Sequence, residues 1–259
     1  MELDVAEQVH DVNARIGIFV VAGAATGFNN LCMRSTLSFS WRRVAIALAI
    51  LGIAAVIIFL FGRSLWYPLM VKIMGGKSIA DRITEITSHF PQLQQLTINQ
   101  VTLIGVKDPG YLDVFINGTF WKRFPFTAQS GKTGPKLRAG DGQIPEGLYR
   151  VEALNPNSSY HLSMKVSYPN HDDRARSLTL GINDFGGDIY IHGKQASIGC
   201  IAIGDDAIEQ VFYLVNQCGF KNVSVIIAPN DFSTDPPAFN EHRALYGAIK
   251  NALAPYYQK

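Results

Sequence analysis

Val44–Phe61 reads VAIALAILGIAAVIIFLF, eighteen residues without a charge. As a helix such a run matches the length that a bilayer's hydrocarbon core requires. It divides the chain into a segment before it, the run itself, and everything after it. Arg42-Arg43 precede it and Gly62-Arg63 follow. The paired arginines favour a cytoplasmic N-terminus, opposed only weakly by Arg63 and Lys72. Trp41, Trp66 and Tyr67 stand where interfacial aromatic anchors belong. A cleaved signal peptide would have a shorter apolar region ending in a small-x-small site, whereas this run ends in Phe-Leu-Phe-Gly-Arg. An uncleaved anchor is therefore expected, ahead of a signal peptide or a buried core helix. Residues 62 onward are expected outside the cytoplasm.

Upstream, residues 1–43 form an N-terminal segment facing the cytoplasm. Ile16–Phe28 is apolar but too short to span a bilayer. Met33 is an alternative start, which would make residues 1–32 a gene-model extension. Downstream, residues 62–96 read as a membrane-proximal linker with one short helix. Ser78 is its N-cap, Asp81 lies three residues on, and Ile79, Ile83 and Ile86 recur at helical spacing. The helix is expected over Ile79–His89, limited by Pro91.

From Thr97 the period changes. Val101–Lys107, Tyr111–Asn117 and Thr119–Ala128 are rich in β-branched and aromatic residues, and Asn117-Gly118 is a two-residue hairpin signal. Ser130–Gly147 is a Gly/Pro-rich loop without the spacing of a phosphate-binding loop. Leu148–Leu154 reads as a strand and Asn155–Ser177 as a polar excursion. Next come a short strand at Ile189–Ile191, a helix at Ala207–Gln217 ending near Gly219, a strand at Asn222–Ala228 and a helix at Pro237–Leu253. The fold class is mostly β (α+β), a catalytic domain over residues 97–259 behind a single transmembrane helix at 44–61.

The net charge of +2 with mixed signs carries no nucleic-acid footprint. Cys32, Cys200 and Cys218 are too few for a disulfide scaffold and lack metal spacing. A Cys200–Cys218 bridge is open on sequence alone. His171 and Asp188 are too few ligands for a metal site, and no cofactor is expected.

The chemistry centres on Ile189-Tyr-Ile-His192-Gly193-Lys-Gln-Ala-Ser197-Ile-Gly199-Cys200. A thiol becomes a good nucleophile when an imidazole or a helix N-terminus lowers its pKa. His192 ends a strand, and Cys200 lies shortly before a helix, with Gly204–Asp206 intervening and weakening the dipole effect. N–H groups around Gly199 and Cys200 are candidate oxyanion donors. Ser197 can bond either the loop backbone or a substrate. Taken singly, a cysteine before a helix is usually a small buried residue, and a histidine at a strand end is usually structural.

The string Ile-His-Gly…Ser-x-Gly-Cys resembles the active-site signature of the YkuD-type L,D-transpeptidases, cysteine enzymes of bacterial cell-wall remodelling. Gly134-Pro-Lys-Leu-Arg138, Gly140-Asp-Gly-Gln-Ile-Pro145-Glu-Gly147-Leu-Tyr149 and Tyr168-Pro-Asn170…Asp173-Arg174-Ala-Arg176 extend the likeness to the Gram-negative periplasmic subgroup. The resemblance covers roughly Val101–Ala228. It implies a YkuD-like β-sandwich or barrel with Cys200 as nucleophile, His192 as general base, and Gly193, Ser197 and Gly199 in support. It implies peptidoglycan stem peptides as partners and a periplasmic domain tethered to the inner membrane through Val44–Phe61. The sequence departs from the family at two places. Ile198 stands where a histidine is frequent, and Ala202 where an asparagine or arginine can hold a substrate carboxylate. Lys136, Arg138 and Arg174 are candidate replacement cations, with Tyr168 as a further substrate-binding candidate. These departures leave three readings: a transpeptidase, a hydrolase of the same fold, or a wall-binding protein with a degenerate site.

Overall fold

The computed structural model describes residues 41–61, 70, 73–132, 134–236 and 240–257. Met33, Cys32, Trp66 and Tyr67 fall outside the described residues. Two compact units separate near Val56. The division falls within α1 (Trp41–Phe61), a continuous helix of 21 residues. The helix contains a span long and apolar enough to cross a membrane by length and composition, with none of that span buried.

The second unit is organised on a five-stranded sheet with the order β3-β2-β1-β9-β4. Its strands are β1 (Val101–Val106), β2 (Tyr111–Ile116), β3 (Thr119–Pro125), β4 (Gly147–Tyr149) and β9 (Val223–Ala228). β1 and β9 run parallel, and the other pairs are antiparallel. β1 is buried along its whole length, in keeping with its largely apolar sequence. Its alternate residues supply two cores. Val101 and Leu103 face the larger, Ile104 and Val106 the smaller. β9 divides in the same way, with Val223, Val225 and Ile227 against Ile226 and Ala228. The turn between β2 and β3 is the expected Asn117-Gly118 pair, both at positive φ (53° and 81°), as a type I′ turn requires.

The smaller core is closed by α5 (Arg243–Leu253), whose Tyr246, Ile249 and Leu253 are buried. The helix expected from Pro237 thus begins at Arg243. Pro237–Phe239 lie outside the described residues, and 240–242 are a turn.

The larger core lies between this sheet and a second one of order β5-β6-β7-β8. It comprises β5 (Val151–Ser158), β6 (His161–Val166), β7 (Tyr190–His192) and β8 (Ile201–Ala202). Here two expectations are corrected. Leu148–Leu154 is not one strand: β4 and β5 break at Arg150 and belong to different sheets. The excursion Asn155–Ser177 is mostly regular. It completes β5, supplies β6, and starts α3 (His171–Thr179) with an Asn170/Asp173 capping box.

α4 (Asp205–Cys218) packs into the larger core and buries Ala207 through Val215 without a break. A helix that is buried all round belongs inside a domain. α2 (Ile79–His89) has the expected Ser78 cap and Asp81 capping box. Its Ile86 joins the same core, as does Leu93 from the following turn, both essentially without exposure. Removing a buried aliphatic side chain costs about 2–5 kcal/mol. A fragment beginning at Thr97 is therefore expected to be less stable than one beginning at Met74, by at least about 3 kcal/mol in urea unfolding. Equal midpoints and slopes for the two fragments would show that α2 is not part of the folded unit.

Candidate active site

The site forms where β7 and β8 leave the second sheet side by side. They are parallel, with Ile191 opposite Ile201 and His192 opposite Ala202. Cys200 immediately precedes β8, one step back in that register. Side chains two apart on a strand share a face. His192 and Cys200 therefore lie on one face of the pair, their Cα atoms roughly 8 Å apart from ordinary strand spacing and rise.

His192 is 2% exposed. Its Nδ1 lies 2.6 Å from the Gly193 carbonyl oxygen. Only an N–H can face that oxygen, so Nδ1 carries the proton and Nε2 keeps a lone pair. The ring is covered by Tyr160, centroid to centroid 4.5 Å. Burial holds the imidazole pKa below its ordinary value of 6.5, and the Gly193 bond partly offsets this. The sign for stability follows. The unfolded histidine takes up its proton first as pH falls, so the contribution from neutral His192 is present above pH 6.5 and is lost below it.

Gly193 has no room for a side chain. A Cβ there would lie 2.5 Å from Asp205 Oδ1 and 2.8 Å from the Tyr160 carbonyl oxygen.

Cys200 is half-buried, and its thiol points to the Asp188 carbonyl oxygen at 3.7 Å. Burial pushes its pKa above the ordinary value of 9.0. The Tyr190 N–H and Lys136 work against this rise, and Asp188 adds to it. The expected lowering by a helix N-terminus is thus corrected. β8 and Ile203-Gly204 stand between Cys200 and α4, so the helix dipole acts from too far away. Cys200 and Cys218 are both free thiols.

Ser197 takes the backbone option. Its hydroxyl donates to the Cys200 carbonyl oxygen at 2.5 Å. Gly199 sits at φ +90°, and a Cβ there would meet the Gln143 carbonyl oxygen at 3.0 Å. The Gly199 N–H does not point to an open oxyanion site as expected. It donates to Ser130 Oγ at 2.6 Å.

Two candidate substrate binders are already engaged. Lys136 is buried and donates to Asp141 Oδ1 at 2.5 Å and to the Arg138 carbonyl oxygen at 2.9 Å. It braces the Gly/Pro-rich loop and is no free cation. Tyr168 is buried, and its hydroxyl donates to the Phe185 carbonyl oxygen at 2.9 Å. Arg138 and Arg174 are exposed, and the Arg174 guanidinium lies 5.7 Å from the centre of the Phe185 ring. Ala202 is fully buried opposite His192, so this position places no polar group at the site. Ile198 is 86% exposed beside Cys200.

Sequence reasoning missed Ser130 and Tyr160. Ser130 lies 69 residues from its partner Gly199, and its signal was its place at the head of the Gly-rich loop. Tyr160 left none, because the hairpin that carries it lay inside the presumed excursion. No group of three or more His, Cys, Asp or Glu able to hold a metal occurs among the described residues.

Residues 102–227 match the family model of the L,D-transpeptidase catalytic domain, YkuD. YafK from Escherichia coli strains K12 and O157:H7, an L,D-transpeptidase by name, is 32% identical over 145 residues, covering 52% of this chain and 56% of YafK. The chain thus spans about half the length of the curated relatives it matches. Among solved structures, the helical cell shape determining protein Pgp2 from Campylobacter jejuni aligns with a TM-score of 0.40 and 20% identity, over 59% of this chain and 56% of that one. L,D-transpeptidase 1 from Mycobacterium tuberculosis aligns with a TM-score of 0.30 and 14% identity, over 50% and 62%. The domain formed by residues 102–227 belongs to the YkuD family of L,D-transpeptidase catalytic domains.

Proposed function

We propose that this chain is a membrane-anchored cysteine acyltransferase acting on peptidoglycan stem peptides, with Cys200 as nucleophile and His192 as general base. The observation that carries the reading is the 2.6 Å approach of His192 Nδ1 to the Gly193 carbonyl oxygen. With Nδ1–H committed to Gly193, Nε2 is the basic nitrogen on the sheet face it shares with Cys200.

Both groups rest neutral, since burial disfavours the imidazolium and the thiolate alike. Attack is therefore general-base-assisted and does not start from a standing ion pair. Nε2 takes the thiol proton as Sγ adds to the acyl carbonyl of the donor stem. The C–N bond then breaks, and the imidazolium returns the proton to the leaving amine. The thioester that remains is opened by an amine of a second stem, His192 removing the amine proton, and Cys200 is regenerated as a thiol. Water in place of the amine makes the same cycle a hydrolysis. By the family resemblance, the bond broken follows an L-centre of the stem, as in the diaminopimelate–D-alanine link. The charge-free stretch Val44–Phe61 of α1 supports tethering at the inner membrane with the catalytic domain in the periplasm. Exposed Arg138 and Arg174 are the candidates for holding a substrate carboxylate.

The full-length chain in detergent, incubated with disaccharide-tetrapeptides with and without an amine acceptor, tests this by mass spectrometry of the products. Amine-linked or cross-linked products are expected, and trimmed monomers alone would make the enzyme a hydrolase. Absence of both would overturn the proposal. The pH profile is a separate check. Because the His192 pKa is lowered, kcat/KM is expected to hold down to pH 6.5 and fall only below it. An acid limb centred above 6.5 would contradict the neutral-pair mechanism.

A further inference from the structure

The turn that carries the nucleophile is held by a residue from a distant part of the chain. Ser130 Oγ accepts the Gly199 N–H at 2.6 Å and donates to the Gly142 carbonyl oxygen at 2.7 Å. Both hydrogen-bonding roles of the hydroxyl are thus filled, one by the cysteine turn and one by the Gly/Pro-rich loop. That loop is itself fixed. Asp141 accepts from Lys136 and from the backbone N–H groups of Leu137, Arg138 and Gln143. Gln143 Oε1 accepts from the Lys132 N–H, and its carbonyl oxygen closes against Gly199. Near the end of the loop, Glu146 is held by buried Lys107.

We propose that Ser130 is a positioning residue for acyl transfer: its hydroxyl pins Gly199 to the braced loop and so sets the direction of the Cys200 backbone and thiol. The inference rests on the reading of Cys200 as nucleophile. Ser130 does not touch the reacting atoms. It withholds the Gly199 N–H from an oxyanion and stabilises the positive φ that turns the chain into Cys200. A small misplacement of a nucleophile lowers the rate of the chemical step while leaving substrate binding intact.

The hydroxyl is isolated by comparing Ser130→Thr with Ser130→Val in the full-length chain, since Thr and Val have nearly the same shape. Turnover of disaccharide-tetrapeptide is measured for both, alongside wild type and Cys200→Ala. Ser130→Thr is expected to keep kcat within about threefold of wild type. Ser130→Val is expected to lose at least about tenfold in kcat with KM within about twofold, at an unchanged pH profile. Alkylation of Cys200 by iodoacetamide, which needs no aligned carbonyl, is expected to differ less than twofold between the two variants. Equal kcat for Thr and Val, or a loss confined to KM, overturns the role of Ser130. Should wild type and Cys200→Ala turn over alike, the nucleophile assignment fails instead, and the two failures are distinguishable.

Discussion

Replacing His192 with glutamine is expected to lower kcat/KM by roughly 10³-fold, within the range for loss of a general base. Glutamine keeps roughly the size of the side chain, so the fold should survive. The loss is large because nothing nearby can substitute. Burial and Asp188 keep the Cys200 thiol protonated at neutral pH. Lys136 is tied to Asp141, and Asp188 is 78% exposed at its side chain with Lys165 as its ion-pair partner. The residual activity of the variant should rise with pH toward ionisation of the thiol, above 9.0, and the acid limb that His192 supplies should vanish. Stopped assays across pH 5–10 measure both, and activity within about tenfold of wild type at pH 7 would remove His192 from the base role.

Replacing Glu146 with alanine is expected to destabilise the domain by about 3–5 kcal/mol. Glu146 is fully buried against Lys107, itself 3% exposed, at 2.9 Å. The ammonium also donates to the carbonyl oxygens of Gly134 and Ile144. The carboxylate in turn accepts from the Gly134 N–H and the Tyr246 hydroxyl. This one pair therefore joins β1, the Gly/Pro-rich loop and α5. Burial already draws the Lys107 pKa down, and Glu146 is what opposes that. Without the carboxylate, an ammonium or an unpaired amine is left in the interior. Denaturant unfolding of Glu146→Ala measures the loss. The double variant Lys107→Met/Glu146→Leu should recover much of it, because removing both charges relieves the desolvation cost. A single-variant loss below about 1 kcal/mol would show that solvent reaches the pair.

The part of the fold written in local chemistry was legible beforehand. The capping box at Ser78 and Asp81, the Asn117-Gly118 turn, the buried strands β1 and β9, and the stop of α4 at Gly219 all depend on near neighbours in the chain. His192 and Cys200, the two residues on which the proposed chemistry rests, could be singled out because the signature keeps them within nine positions of sequence. What stayed hidden is non-local. That Arg150 separates two sheets is decided by which partners β4 and β5 find, β9 and β6. Lys136 and Tyr168 read as substrate-binding candidates because a cation and a hydroxyl are groups that a site can offer a ligand. Their burial follows from Asp141 and the Phe185 carbonyl oxygen, partners that spacing does not announce. The electrostatic direction at Cys200 was misjudged for the same reason. Proximity in sequence to a helix start suggested a lowered pKa, while burial, set by the surrounding layers, raises it.

The central claim is that Cys200 carries the acyl group. Intact-mass measurement of the full-length chain during turnover of disaccharide-tetrapeptide, followed by peptide mapping, tests it most directly. The account predicts a hydroxylamine-labile adduct with the mass of the donor acyl group on the peptide containing Cys200, absent from Cys200→Ala. Turnover without an adduct, or an adduct on Cys218 with Cys200→Ala still active, would contradict it.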